Sequence, residues 1–216
     1  MKVRHTLALT AIALLATVAA AEPENLGLLK AKVREYMDSP AYFAEIEPLA
    51  KEAEALIRDR AAHRAPDERL AIIMDVDETT LSNYPLIRSH DFAYNAEQWD
   101  EWIRTARCPA ITPVLGIHRC AVENGVTTIL LTGRREKWRE ATERNLAAVG
   151  YKGIGMLILK PDDEKEHTGE WKTRERARLV ADGWTIIANI GDQESDFAGG
   201  SNGRVFKVPN PAYYVH

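Results

Sequence analysis

The sequence predicts an α/β protein with a central parallel sheet flanked by helices, and three observations carry that expectation. Short continuous apolar runs recur at RLAIIMDV (69–76), VTTILLTG (126–133), GMLILK (155–160) and WTIIANIG (184–191), each suited to a strand covered on both faces. Between them lie stretches with helical spacing that finish on glycine, REKWREATERNLAAVG (135–150) and EWKTRERARLVADG (170–183). Strands alternating with helices wind a parallel sheet through right-handed crossovers. RVFKV (204–208) closes the sheet as a shorter strand.

The elements before the first strand read as two separate devices. MKVRHTLALTAIALLATVAAAEPEN opens with Lys2 and Arg4, continues through an uncharged apolar stretch from Leu7 to Val18, and offers small residues at Ala19 and Ala21. That three-part pattern is a secretory signal over residues 1–21, cleaved after Ala21, and its apolar stretch falls short of the roughly 18 residues that span a bilayer. The expected location is therefore periplasmic or secreted, with no membrane attachment after cleavage. Residues 22–68 form an N-terminal helical segment packing on the core, broken at Asp38-Ser39-Pro40, where Ser39 suits an N-cap and Pro40 a first helical turn.

A net charge of −4 with no Lys/Arg block argues against a nucleic acid polymer as partner. The cysteines, Cys108 and Cys120, suit either a disulfide in an oxidising compartment or two unpaired thiols. No HxH or HExxH spacing marks a zinc site. Oligomeric state is not legible.

The strand ends carry the chemistry, because ligands of such sheets bind beyond the carboxyl ends of the strands. The first run delivers Asp75 and Asp77, the second Thr132-Gly133-Arg134-Arg135, the third Lys160, and the fourth Gly191-Asp192 followed by Gln193, Glu194, Ser195 and Asp196. Carboxylates from separate segments at one rim repel one another unless a hard cation such as Mg2+ joins them. Threonine, glycine amides and a lysine at the same rim offer a phosphate hydroxyl and backbone donors and a positive charge.

DVDET (75–79), LLTGRRE (130–136), WKTRER (171–176) and NIGDQESDF (189–197) resemble, in order, motifs one to four of the haloacid dehalogenase (HAD) superfamily. DVDETTLSN and GDQESDFAGG resemble its exported acid phosphatases of subfamily IIIB, the class B/C group to which the plant vegetative storage proteins also belong. The resemblance runs from Leu70 to the last residue and implies a Rossmann-like HAD core over 69–216 with a small cap insertion at 82–125.

It further implies an exported, Mg2+-dependent acid phosphatase that hydrolyses phosphate monoesters, nucleotides among them, through an aspartyl-phosphate. Asp75 would be the nucleophile and Asp77 the proton carrier. Thr132, Gly133 and Lys172 would bind phosphate. Mg2+ would be held by Asp75, the backbone carbonyl of Asp77, Asp192 and Asp196. Lys160, at a strand end, competes with Lys172 for the lysine role.

The same intermediate would serve a phosphotransferase, and the fold would serve a storage or binding protein without turnover. Retention of Asp75 favours turnover, and Asp77 disfavours a dehalogenase.

Two weaker signals remain. SNYPLIRSHDFAYNAEQWDEWIRTA (82–106) is aromatic, and Asn95 with Gln98 opens a helix whose Trp99 and Trp102 share a face. Tyr84, Phe92, Tyr94, Trp99 and Trp102 either pack in the core, or one or two of them wall the pocket and stack on an aromatic leaving group such as a nucleoside. Arg134 and Arg135 suit either substrate contact or a helix surface.

Overall fold

A computed structural model describes residues 22–215; the signal read over 1–21 lies outside them. Two helices come first, α1 (Leu26–Asp38) and α2 (Ala41–Ala62). Asn25 caps α1 by accepting the N–H groups of Gly27 and Leu28, and the Ser39 hydroxyl accepts the Ala41 N–H at 3.2 Å where α2 begins. On α2, Tyr42, Ile46, Ala50, Ala53 and Ile57 recur at three- and four-residue intervals, so one stripe is buried.

The sheet follows as β1 (Arg69–Met74), β2 (Thr127–Arg135), β3 (Met156–Lys160), β4 (Trp184–Gly191) and β5 (Arg204–Lys207), in the order β3-β2-β1-β4-β5. Every pairing is parallel. β1 is central, and its alternate residues divide between two cores. Leu70, Ile72 and Met74 face α2 and the helix α5 (Thr112–Glu123), whereas Ala71 and Ile73 face Trp171 and Leu179 of α7 (Thr168–Ala181). Removing each such leucine, isoleucine or methionine side chain from water contributes about 1.5–3 kcal/mol. Gly203, at φ +60°, admits β5 beside β4 because a Cβ there would lie 2.4 Å from the Ile187 carbonyl carbon.

Two strand ends differ from expectation by more than one residue. β1 stops at Met74 because the chain turns at once: the Val76 carbonyl accepts from Thr80 and Leu81, and Glu78 takes φ +55°. β2 runs on to Arg135, so Arg134 and Arg135 lie in strand rather than on a helix surface.

The 82–125 insertion holds α3 (Tyr84–Ser89), α4 (Ala96–Thr105) and α5. Of these, α5 belongs to the core, burying Val114, Leu115, Ile117 and Ala121 beneath α2. The Asn95 side chain accepts the Gln98 N–H at 3.0 Å to start α4. The remaining helix, α6 (Arg139–Val149), ends on Gly150 in the left-handed region. Cys108 and Cys120 are free, buried thiols: Cys108 Sγ lies 3.4 Å from Asn83 Oδ1, and Cys120 Sγ 3.7 Å from the Glu54 carbonyl of α2.

Candidate active site

Parallel strands end together, and the carboxyl ends of β1, β2 and β4 open into a cavity of about 420 Å3. Asp75, Asp77, Gly133, Lys172, Asp192 and Asp196 line it. The Asp75 N–H donates to the Ile190 carbonyl at 2.9 Å, continuing the β1–β4 ladder one residue and fixing where its carboxylate stands. Asp75, Asp192 and Asp196 are buried, and each offers an oxygen within 4.8 Å of the others.

Lys172 lies in the first turns of α7, next to Trp171, which is buried under β1. Its ammonium donates to Asp75 Oδ1 and, at 2.6 Å, to Asp196 Oδ1. Burial opposes its charge, but Asp196 and Asp75 outweigh that and raise its pKa. Lys160, the rival, is turned away: its ammonium donates to the Glu166 carbonyl and, at 3.2 Å, to the Thr168 hydroxyl.

Burial is also the largest influence on Asp75, pushing its carboxyl well above the usual range despite Lys172, with Asp196 and Asp192 adding repulsion. Asp192 is raised to about 7 by burial first and Asp196 second. Three crowded oxygen donors of this kind fit a hard divalent cation, which would lift the repulsion that raises both groups.

Asp196 reaches the cluster from a single 3-10 turn, Glu194–Asp196. Its Oδ2 accepts the N–H groups of Asp192 at 3.1 Å and Gln193 at 2.9 Å. Gly191 allows this fold-back, since a Cβ there would lie 2.5 Å from Asp196 Oδ2. Arg176, one helical turn beyond Lys172, and Asn189 both donate to the Asp196 carbonyl, at 2.8 and 2.9 Å.

Asp77 stands apart from the three-carboxylate cluster. Arg134 donates to it from Nε at 3.0 Å and Nη2 at 2.7 Å, and Asn83 Nδ2 from 2.7 Å. Burial works against its charge, yet Arg134 and Asn83 together hold the carboxyl below the usual range. Arg134 is therefore neither a substrate contact nor a surface residue: it is 2% exposed and clamps Asp77. Arg135 donates to the Pro161 and Glu164 carbonyls. Thr132 is fully buried behind the cavity wall, and its Oγ accepts the Arg134 N–H at 3.1 Å.

Further residues complete the site, some of them, such as Trp99, Trp102 and Gln193, on stretches the sequence singles out, and others, such as Asn210 and Tyr213, on none. Asn83 also bonds Glu78 and accepts from Trp102 Nε1 at 2.9 Å, so Trp102 supports the Asp77 turn. Glu78, raised to about 7 by burial and then by Asp77, also accepts the Tyr213 hydroxyl. Asn210 and Gln193 donate to Asp192 Oδ2 at 2.8 and 2.6 Å. Phe92, Tyr94, Trp99 and Tyr213 form an aromatic side of the cavity, with Trp99 edge-on to Tyr213 at 6.4 Å. Tyr84 is not among the lining residues.

The family model described as "HAD superfamily, subfamily IIIB (Acid phosphatase)" matches residues 6–216. The chain is 35% identical to Acid phosphatase 1 of Solanum lycopersicum, covering 85% of this chain and 73% of that one. It is 36% identical to Vegetative storage protein 2 of Arabidopsis thaliana over 66% of this chain and 56% of that one. The structure of the class C acid phosphatase from Bacillus anthracis with tungstate bound superposes with a TM-score of 0.70 at 22% identity, covering 87% of this chain and 86% of that one.

Proposed function

The chain belongs to the HAD superfamily, subfamily IIIB, and is a phosphoric monoester hydrolase of the acid phosphatase kind, and we propose that it is exported, depends on Mg2+ and works through an aspartyl-phosphate. One observation carries the reading of the chemistry: Lys172 bridges Asp75 and Asp196 beside Asp192, with a separately clamped Asp77 on the same cavity. The tungstate bound to the Bacillus anthracis phosphatase, an oxyanion with phosphate-like tetrahedral geometry, is in keeping with this reading.

In the first step an Asp75 oxygen bonds to phosphorus while the ester P–O bond breaks, and the departing oxygen takes a proton from Asp77. That proton can arrive on a singly protonated monoester, whose second pKa is about 6. Water then attacks the aspartyl-phosphate and gives its proton to Asp77, whose charged form Arg134 and Asn83 have kept aimed and ready. The Asp75–phosphorus bond breaks, releasing inorganic phosphate. Lys172 stays beside the attacking carboxylate throughout and offsets charge on the transferring group. Bound by Asp75, Asp192 and Asp196, Mg2+ would supply further positive charge to the phosphoryl oxygens.

Phosphate release from para-nitrophenyl phosphate by the chain beginning near Glu22 should require Mg2+ and disappear in EDTA. A folded protein that releases none with Mg2+ would refute hydrolysis and favour storage, the second reading, which the match to Vegetative storage protein 2 supports.

Trp99 should tune which ester is preferred, through its place on the aromatic side of the cavity. Stacking on a base contributes about 1–3 kcal/mol, so Trp99→Ala should raise KM for a nucleoside monophosphate by about tenfold while leaving glycerol phosphate within about twofold. Equal losses on both substrates would remove the stacking role.

A further inference from the structure

Asn210 sits between Pro209 and Pro211, two residues with fixed φ and no N–H, just beyond β5. Its side chain works in two directions. Oδ1 accepts the Ala212 N–H at 3.0 Å and shapes the segment that follows, while Nδ2 donates to Asp192 Oδ2 at 2.8 Å. That same oxygen accepts Gln193 Nε2 at 2.6 Å, and Gln193 Oε1 accepts the Val215 N–H at 3.0 Å. The segment is thus tied twice to one carboxylate oxygen, directly at its start and through Gln193 at Val215. Between the two ties, Ala212, Tyr213 and Tyr214 wall the cavity.

Behind this wall lies a second cavity of about 380 Å3, which Asp192, Gln193, Tyr213 and Tyr214 also line. Within the segment the Tyr213 ring packs edge-on to Trp99 and its hydroxyl donates to Glu78, while the two ties to Asp192 fix where the segment starts and where it ends. With two amides on Oδ2, the Asp192 carboxylate cannot rotate freely. Oδ1 receives the Thr79 hydroxyl at 3.1 Å and keeps acceptor capacity.

We infer that Asn210 is a positioning residue that couples occupancy of a divalent-cation site at Asp192 to the placement of the cavity wall 211–215. The inference rests on the reading of Asp192 as a cation ligand. It goes further in making the wall respond to the cation, and the cation to the wall, by the same free energy.

The test compares the parent chain with Asn210→Ala, Asn210→Leu, which keeps the volume without the amide, and Tyr213→Phe, the last keeping the ring but losing the Glu78 bond. Calorimetric titration with Mg2+ alone reads affinity without turnover, and chymotrypsin cleavage after Tyr213 and Tyr214, with and without Mg2+, reads the wall. Losing a partner that orients a ligand weakens metal binding by about 10–100-fold, so both Asn210 variants should bind Mg2+ at least tenfold more weakly and Tyr213→Phe like the parent. At saturating Mg2+ the Asn210 variants should show a raised KM for para-nitrophenyl phosphate with kcat within about threefold. Mg2+ should slow chymotrypsin cleavage of the parent and not of the Asn210 variants.

Parent-like Mg2+ affinity in folded Asn210 variants, or Mg2+ protection that persists in them, overturns the coupling. Should those variants fail to fold, the parent decides alone, since no Mg2+ protection there also overturns it. A parent that binds Mg2+ and shows protection but releases no phosphate refutes the hydrolase reading and leaves the coupling standing.

Discussion

Asp75→Asn should lower kcat for a phosphate monoester by at least about 10^4-fold while leaving the fold as stable as the parent or more so. Asn keeps the shape of the side chain but cannot bond to phosphorus as a carboxylate does. The stability half of the expectation comes from the surroundings. Three buried carboxylates share one lysine, and burial with mutual repulsion already pushes Asp75 well above its ordinary pKa. Removing one negative charge relieves that repulsion and leaves Lys172 paired with Asp196 at 2.6 Å. Steady-state kinetics beside a thermal melt separates the two effects. A variant that keeps more than about one-hundredth of parental kcat would mean that Asp75 is not the attacking group. A variant that melts well below the parent would mean that the carboxylate also holds the fold, contrary to what burial and mutual repulsion imply.

How much of this site is legible in the sequence depends on how far apart in the chain its parts lie. The strands are legible because each is a short apolar run closed by turn chemistry, and β4 matches its expected bounds of 184–191. Asp75, Asp192 and Asp196 are legible as residues at the ends of such runs. Arg134 is not, because its partner Asp77 lies 57 positions away and nothing local in LLTGRRE separates a clamp from a surface arginine. Asn83 leaves a nearer trace: it ends the stretch MDVDETTLSN, and the turn formed when Glu78 N–H meets the Leu81 carbonyl brings it back to Asp77.

Asn210 and Tyr213 fall in PNPAYY, which has neither helical nor strand period, so only an asparagine held between prolines marks it. The cysteines stay ambiguous in sequence for a similar reason. Cys120 sits on α5 and Cys108 in the chain before it, and their spacing says nothing of Cα separation. The insertion 82–125 reads as one cap, yet α5 carries a buried stripe that makes it part of the sheet's covering layer.

Lys172→Met should reduce kcat by about 10^3-fold or more, whereas Lys160→Met should leave turnover within about fivefold. Both lysines are about equally buried, at 4% exposure, so burial alone does not separate them; their partners do. Lys172 faces two carboxylates of the cluster, and Lys160 faces the Glu166 carbonyl of the loop before α7 and the hydroxyl of Thr168, the first residue of α7. Helical geometry explains the difference. Lys172 and Arg176 are four apart on α7 and so share one face, which meets the turn carrying Asp196: the first supplies charge to its carboxylate and the second holds its carbonyl.

Methionine fills much of the lysine's volume, but it leaves Asp75 and Asp196 buried without their cation, and breaking such a pair costs about 3–5 kcal/mol. The melt of Lys172→Met should therefore fall in EDTA and recover in part as Mg2+ is added, because a cation held by the same carboxylates replaces some of the missing charge. Near-parental turnover in Lys172→Met, together with collapse in Lys160→Met, would move the phosphate-binding charge to the end of β3. Collapse in both would mean that Lys160 matters by holding the start of α7 at Thr168, which lies beside Gly133 at the cavity wall.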